Sequence, residues 1–181
     1  MSGEILVSPK TTARLVVTMP PVPSPLADAL AADIASEYVA LTRTTDAFTH
    51  LAGLARERFT IMIPFIDRVG AEWAAELFEA TTAAERVLVL RDASQLLSCG
   101  AAGRRVEATA TRIIDYGGAN LASETFHAKI VLADGVAAYV GSANLLRRSK
   151  LINLECGMLV EGPAVGGVKV LLDAVTAIAE R

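Results

Sequence analysis

The stretch "ETFHAKIVLADGVAAYVGSANL" (residues 124–145) decides the fold, because it holds two apolar runs joined by the pair Asp134-Gly135. An Asp-Gly pair between two such runs is typical of a tight β-hairpin turn. Alternate side chains of a strand share one face of the sheet. The stretch therefore predicts an antiparallel hairpin in which His127 and Lys129 point to the same side, while Phe126 and its alternate neighbours pack inward.

Polar side chains at both ends of this hairpin predict an anion site. Ser142 and Asn144 repeat the two-residue spacing of His127 and Lys129, and Gly141 permits close approach of backbone or ligand. Lysine supplies a charge and three donors, and serine and asparagine supply neutral donors. An imidazole attacks phosphorus when neutral and donates a proton when charged. Together these groups suit a phosphoryl group.

The rest of the chain alternates strand-like and helix-like segments, which predicts an α/β fold: a mixed β-sheet flanked by helices. Ser24 and Pro25 have the N-cap and first-turn pattern of a helix, and Pro163 is expected to open the last one. Apolar residues at helical spacing are expected to face inward: Leu26, Leu30, Ile34, Tyr38 and Leu41 in the first helix, Phe48, Leu51 and Leu54 in the second, and Val165, Val168, Leu171, Leu172, Val175 and Ile178 in the last. The predicted strands outside the hairpin are 13–19, 59–67, 86–92, 105–115 and 151–162, and the predicted internal helices are 46–58, 70–83 and 93–102.

The length of 181 residues favours one domain. Residues 59–181 carry the strand-helix alternation and are expected to form the main α/β domain. Residues 1–58 are expected to be a mostly helical N-terminal extension.

Composition excludes several classes of protein. With 52% hydrophobic and 20% charged residues, the chain is globular rather than disordered. The net charge of −3 gives no global field for nucleic acid, so any polyanion site needs a local basic patch. We expect a soluble, cytoplasmic protein, because no secretory signal pattern or membrane-length apolar run is present. Cys99 and Cys156 are expected to be small buried residues, and His50 a structural one.

The spaced motif His127-x-Lys129, Asp134, Gly141-Ser142-x-Asn144 resembles that of the phospholipase D superfamily. Glu155, after Asn153-Leu154, falls where that family often carries a glutamate. The resemblance covers about residues 59–181. It implies a phospholipase D-like fold and cleavage of phosphodiesters through a covalent phosphohistidine, without metal or other cofactor.

The resemblance also implies a role for each motif residue. Two motif copies make one site in this family, and this chain has one, so a symmetric homodimer would complete it. His127 would be the nucleophile in one subunit and the general acid in the other. Lys129 and Asn144 would hold phosphate oxygens. Ser142 would support the phosphate or bond Glu155, and Glu155 would orient His127. Asp134 belongs to the catalytic motif, yet at the turn it is expected to stabilise the fold.

The substrate expected from the resemblance is DNA or RNA. The small single-motif members of the family are mainly bacterial nucleases, and Arg147, Arg148 and Lys150 could line a backbone groove. No amphipathic membrane segment is evident. The chain also resembles the phospholipase D-like component of DISARM-type anti-phage systems, which implies a defence role and partner proteins. Two alternatives stay open: a phospholipase or phosphatidyl transferase, and a non-catalytic nucleic-acid-binding or assembly subunit of a defence complex.

Overall fold

The structure, a computed structural model, describes residues 10–33, 43–117 and 125–179. Its strands are β1 Thr12–Thr18, β2 Arg58–Ile63, β3 Glu85–Leu90, β4 Arg112–Asp115, β5 Ile130–Ala133, β6 Ala137–Gly141 and β7 Glu155–Glu161. Its helices are α1 Pro25–Asp33, α2 Thr44–Leu54, α3 Arg68–Ala80, α4 Gln95–Ser98, α5 Ala101–Thr109, α6 Arg147–Leu151 and α7 Val165–Ala179.

These strands form one mixed sheet in the order β1-β7-β6-β5-β2-β3-β4. Strands β2, β3 and β4 are parallel, and every other neighbouring pair is antiparallel. The carboxyl ends of β2 and β3 therefore lie at the same end of the sheet as the start of β5, the end of β6 and the start of β7. This end carries the candidate site, as is usual for open α/β sheets.

Both faces of the sheet are covered by apolar packing. Helices α2, α3 and α5 cover one face, where Phe48, Trp73 and Tyr139 are buried. Phe48 stacks on Trp73 at 4.9 Å between ring centroids and meets Tyr139 edge-on at 5.0 Å. Helix α7 covers the other face, with Val165 and Leu172 buried. The predicted α/β fold with a mixed sheet flanked by helices is confirmed.

Local signals in the sequence explain several of these elements. Asp134 and Gly135 adopt φ values of 53° and 87°, the left-handed conformation that a tight hairpin turn requires. The Ser24 hydroxyl accepts a hydrogen bond from the backbone N–H of Ala27 at 3.2 Å, which confirms the predicted cap of α1. Within the described ranges, no helix combines the length and apolarity that a bilayer crossing demands.

The N-terminal 58 residues contribute to the sheet as well as supplying helices. Strand β1 pairs with β7 along its whole length, from Thr12–Glu161 to Thr18–Glu155. Helix α2 buries Phe48 and Leu51 in the core. The boundary at residue 58 stays a prediction. Most of the apolar face expected for the first helix, from Leu30 to Leu41, lies outside the side chains that the structure describes.

The structure corrects three predicted strands. Residues 105–115 are not one strand, because α5 continues to Thr109 and β4 begins at Arg112; Ala102 and Val106, one turn apart, are buried beside α3. The strand predicted from residue 151 begins at Glu155, since 147–151 form α6. The strand expected to hold His127 begins at Ile130, so His127 and Lys129 precede the ladder.

Four predicted burials are also wrong. Cys99 is buried, but Cys156 is exposed, because alternate residues of β7 face away from the core packed by α2 and α3. Leu54, at the end of α2, and Leu171, on α7, were expected to face inward and are 36% and 49% exposed. Leu26 of α1 is also exposed.

Candidate active site

The predicted motif residues converge on one open depression at this end of the sheet, with a volume of about 570 Å³. The segment just before β5 supplies His127 and Lys129, the end of β6 leads into Ser142 and Asn144, and the start of β7 supplies Glu155. The remaining lining residues are Leu146, Arg148, Ser149, Asn153 and Leu154. Five of the six motif residues predicted from sequence are therefore brought together.

His127 and Lys129 form the polar centre of the depression. The Lys129 Nζ lies 2.8 Å from His127 Nδ1 and 3.3 Å from Nε2, and it donates to the His127 backbone oxygen at 2.7 Å. The His127 side chain lies in an exposed position, whereas Lys129 is only 6% exposed. The ammonium group is thus fixed beside the ring nitrogens, where a bound phosphoryl group would meet both.

Burial sets the charge properties of Lys129. Desolvation lowers its pKa below the ordinary lysine value, and the nearby Glu155 carboxylate opposes this in part. A buried ammonium without a close counterion is costly. Among the residues that the structure describes, Lys129 forms no ion pair, and a bound phosphate would supply a negative charge at this position.

Glu155 is held by its own neighbours. Its side chain is buried, and its carboxylate accepts from Ser142 Oγ at 2.5 Å and from Asn153 Nδ2 at 3.3 Å. The bond from Ser142 to Glu155 is one of the two roles that the resemblance implies for Ser142, the other being support of the phosphate. The predicted orienting contact from Glu155 to His127 is not among the hydrogen bonds of the described residues, so the role of Glu155 as orienter of His127 stays a prediction.

Gly141 is required by close packing behind the site. A Cβ at this position would lie 2.3 Å from the Tyr139 hydroxyl oxygen and 2.7 Å from the Gly157 Cα. The Tyr139 ring fills the space below the Gly-Ser-x-Asn loop, and burial raises the pKa of Tyr139 to about 12. The close approach expected at Gly141 is thus made by the protein's own aromatic ring.

Asn144 is placed by the loop that follows β6. Its backbone N–H donates to the buried Ser149 hydroxyl at 3.3 Å. Its Oδ1 atom is buried and, among the described residues, has no hydrogen-bond partner. An unsatisfied buried acceptor of this kind is uncommon and marks a position where a ligand or water completes the bonding.

Asp134 lies at the opposite end of the hairpin, away from the depression. Its carboxylate accepts from the backbone N–H groups of Arg56, Glu57 and Arg58 at 2.7, 3.0 and 2.7 Å. These bonds join the hairpin turn to the start of β2. The position agrees with the expected fold-stabilising role, and it removes Asp134 from contact with a substrate in the depression.

The predicted basic residues differ in their surroundings. Arg148 lines the depression. Arg147 is exposed beside it, but not among its lining residues. Lys150 lies 3.6 Å from the Glu76 carboxylate and 5.3 Å from the centre of the Trp73 ring, so it is engaged elsewhere. His50 is 3.5 Å from Glu161 at the far edge of the sheet, as expected for a structural histidine.

Sequence reasoning missed three residues that shape the site. Asp67 caps α3 through Gly70 N–H at 2.8 Å and accepts from Arg147 N–H at 2.9 Å, which joins the helix to the motif loop. Its position just before a helix is a recognisable N-cap signal. Phe65 meets the His127 ring edge-on at 6.0 Å, and the Arg91 guanidinium lies 4.4 Å from the Phe65 ring centre. Within the described part of the chain, no group of three or more His, Cys, Asp or Glu side chains is arranged to hold a metal ion.

Solved structures resemble this fold. Nuc from Salmonella typhimurium, a phospholipase D family member, is 12% identical with a TM-score of 0.57, over 94% of this chain and 96% of that one. NucT from Helicobacter pylori is 14% identical with a TM-score of 0.54, over 94% and 97%. Phosphatidylserine synthase from Haemophilus influenzae Rd KW20 is 13% identical with a TM-score of 0.52, over 93% and 38%. At these identities the likeness concerns the fold.

A family model decides the classification. The model described as "Cardiolipin synthase, PLD-like domain" matches residues 49–174, which is more than half of the chain. No curated protein matches the sequence. The match spans the hairpin, the motif loop and the strands that hold them. The chain therefore belongs to the phospholipase D superfamily, through its PLD-like domain.

Proposed function

We propose that this protein is a metal-independent phosphodiesterase that cleaves DNA or RNA through a phosphohistidine intermediate, in a site completed by a second copy of the chain. Family membership and fold support a phosphodiesterase-type enzyme. The observation that carries the proposal is the convergence of His127, Lys129, Ser142 and Asn144 on one open depression.

The chemistry follows from the side chains in the depression. A neutral His127 attacks the phosphorus, forming a P–N bond as the P–O bond to the leaving group breaks. A protonated His127 from the second copy donates its proton to the leaving oxygen. The same imidazole then takes a proton from water, whose oxygen attacks the phosphorus and breaks the P–N bond.

Lys129 and Asn144 act on the charge that builds up in this reaction. The ammonium and the side-chain amide can donate to the non-bridging oxygens, which gain charge in the transition state. Ser142, held by Glu155 at 2.5 Å, keeps the motif loop in place. A shared site is required because one histidine cannot be neutral nucleophile and protonated acid in the same step.

A lipid substrate is the second candidate. The matching family model carries the name of a cardiolipin synthase, and Leu154, which lines the depression, is 46% exposed. An exposed leucine beside the site could contact an acyl chain. The chemistry would be the same, with a phosphatidyl group on the histidine.

The experiment compares labelled single-stranded DNA, RNA and phosphatidylcholine vesicles as substrates in the presence of EDTA. We expect cleavage of nucleic acid that EDTA does not inhibit. The variant His127→Ala should lose at least about 10²–10⁴-fold in rate. The matched control is His50→Ala, which removes the other histidine, on the exposed surface of α2, and should retain activity.

Four outcomes would contradict the proposal. Turnover of lipid alone would favour the second candidate. Cleavage that needs magnesium, or that survives in His127→Ala, would exclude the phosphohistidine route. A monomeric, inactive protein that binds nucleic acid only with partner proteins would favour the non-catalytic alternative. A place in anti-phage defence stays a prediction, which the neighbouring genes test.

A further inference from the structure

Arg91 places a guanidinium group next to the site. It follows β3 directly, at the same end of the sheet as His127. Its guanidinium carbon lies 4.4 Å from the centre of the Phe65 ring, and that ring lies 6.0 Å from the His127 ring. Phe65 and Arg91 are both half-buried. The three side chains thus form a continuous row from the reacting imidazole outward.

Arg91 differs from the arginines that form ion pairs in this structure. Arg58 and Arg105 bind carboxylates at 2.5 Å. Over residues 10–33, 43–117 and 125–179, no carboxylate lies within 4.0 Å of the Arg91 guanidinium and no hydrogen bond uses its N–H groups. The neighbouring Asp92 accepts instead from the Ser94 N–H at 2.9 Å.

Stacking on Phe65 engages only the flat face of the Arg91 guanidinium. A guanidinium that lies over an aromatic ring uses its flat face, while its five N–H donors point outward in the plane. Such a fork matches the oxygens of a phosphate, with which it forms two parallel hydrogen bonds. Phe65 fixes the position of this fork relative to His127.

The spacing fits a substrate with more than one phosphate. The His127 ring centre lies 6.0 Å from the Phe65 ring centre, and the Arg91 guanidinium carbon lies 4.4 Å from that same centre. The distance from the His127 ring to the Arg91 guanidinium is therefore no longer than the sum of these two distances. A nucleic acid strand carries one charge per about 3.4 Å of helix rise, so a phosphate next to the scissile one falls within this span. A substrate with a single phosphodiester would leave Arg91 unused.

We propose that Arg91, held by Phe65, binds a phosphate that flanks the scissile phosphodiester, so that the site selects a polynucleotide over a single phosphodiester. This inference rests on the proposed phosphodiesterase function and assigns its substrate class. Arg148 lines the depression that holds His127, whereas Arg91 lies beyond Phe65.

The test compares two nucleic acid substrates that differ in the number of phosphates: a single-stranded oligonucleotide and a dinucleoside monophosphate, which has one phosphodiester. We expect Arg91→Ala to raise KM for the oligonucleotide about tenfold with little change in kcat, and to leave the dinucleotide unaffected. The slope of log(kcat/KM) against log salt should become shallower by about 0.7 for the oligonucleotide. Arg91→Lys should recover part of both effects.

The matched control is Arg14→Ala. Arg14 is an exposed arginine paired with Glu161 at the opposite edge of the sheet, so its loss changes net charge equally without touching the site. An equal loss on both substrates in Arg91→Ala would show that Arg91 acts only through the fold or through Phe65, and would overturn the inference. So would unchanged kinetics on the oligonucleotide. Failure of the proposed function appears separately, as wild-type protein that cleaves neither substrate.

Discussion

Lys129 places an ammonium group with 6% exposure at 2.8 Å from His127 Nδ1, and its charge controls anion binding. Because burial lowers its pKa, Lys129 loses its proton at a lower pH than an exposed lysine, whose pKa is about 10.4. The cation is therefore present at low pH and disappears as the pH rises through the lowered pKa. Binding of an anion with constant charge should weaken over the same range.

Sulfate keeps its charge between pH 8 and 11 and can serve as the probe. The chain has only two histidines, so the NMR signal of the His127 ring is identified by its absence in His127→Ala, and that of His50 is an internal control. We expect sulfate to shift the His127 signal with an affinity that falls with a midpoint below about pH 10.4. In Lys129→Arg, which stays charged, that fall should vanish. If the sulfate affinity of Lys129→Arg falls over the same pH range, the pH dependence does not come from Lys129.

The junction between helix α3 and the motif loop depends on one carboxylate. Asp67 accepts from Gly70 N–H at the start of α3 and from Arg147 N–H at the start of α6, and its own N–H donates to the Leu145 oxygen at 3.1 Å. A Cβ on Gly70 would lie 1.6 Å from that same oxygen, so the helix and the loop are in close contact.

Removing this carboxylate should destabilise the fold. Asp67→Ala loses a helix cap and the hydrogen bond from the Arg147 N–H, and we expect the free energy of unfolding to fall by about 1–2 kcal/mol. Asp67→Asn keeps one acceptor oxygen and should lose less. Denaturant unfolding measures both variants. If the denaturant concentration at the unfolding midpoint is the same for Asp67→Ala and wild type, the loop is held by other contacts.

At the level of elements, the sequence predicts those parts whose signals are local. The Asp134-Gly135 turn, the Ser24 cap and most strands are found because a few neighbouring residues determine them. Residues 105–115 were wrongly predicted as one strand, because the end of α5 and the short strand β4 together show an alternation of apolar and polar residues. The five-residue helix α6 is too short to show a period of 3.6 residues.

The residues of the candidate site also fall into those that a local sequence pattern predicts and those that it does not. The motif spacing alone identifies His127, Lys129, Ser142 and Asn144. Contacts such as Asp67 with Arg147 join residues 80 positions apart. They depend on which strands are neighbours in the sheet, and no local pattern records that order. Phe65 and Arg91 were missed for this reason, since they meet only because β2 and β3 are adjacent.

At the scale of the whole molecule, the proposed reaction needs more than one chain. The depression contains a single histidine, and the other histidine of the chain, His50, lies beside Glu161 at the far edge of the sheet. The open depression leaves His127 exposed to a second copy. Two copies related by a two-fold axis would place two such imidazoles around one phosphorus.

The mass of the catalytically active species tests this claim most directly. Zonal sedimentation through a sucrose gradient separates species by size, and nuclease activity is then measured in each fraction. We predict that activity follows a species with the mass of two chains and disappears as dilution produces single chains. Full activity in the fraction with the mass of one chain would contradict the account, because a single His127 would then perform both proton transfer and attack.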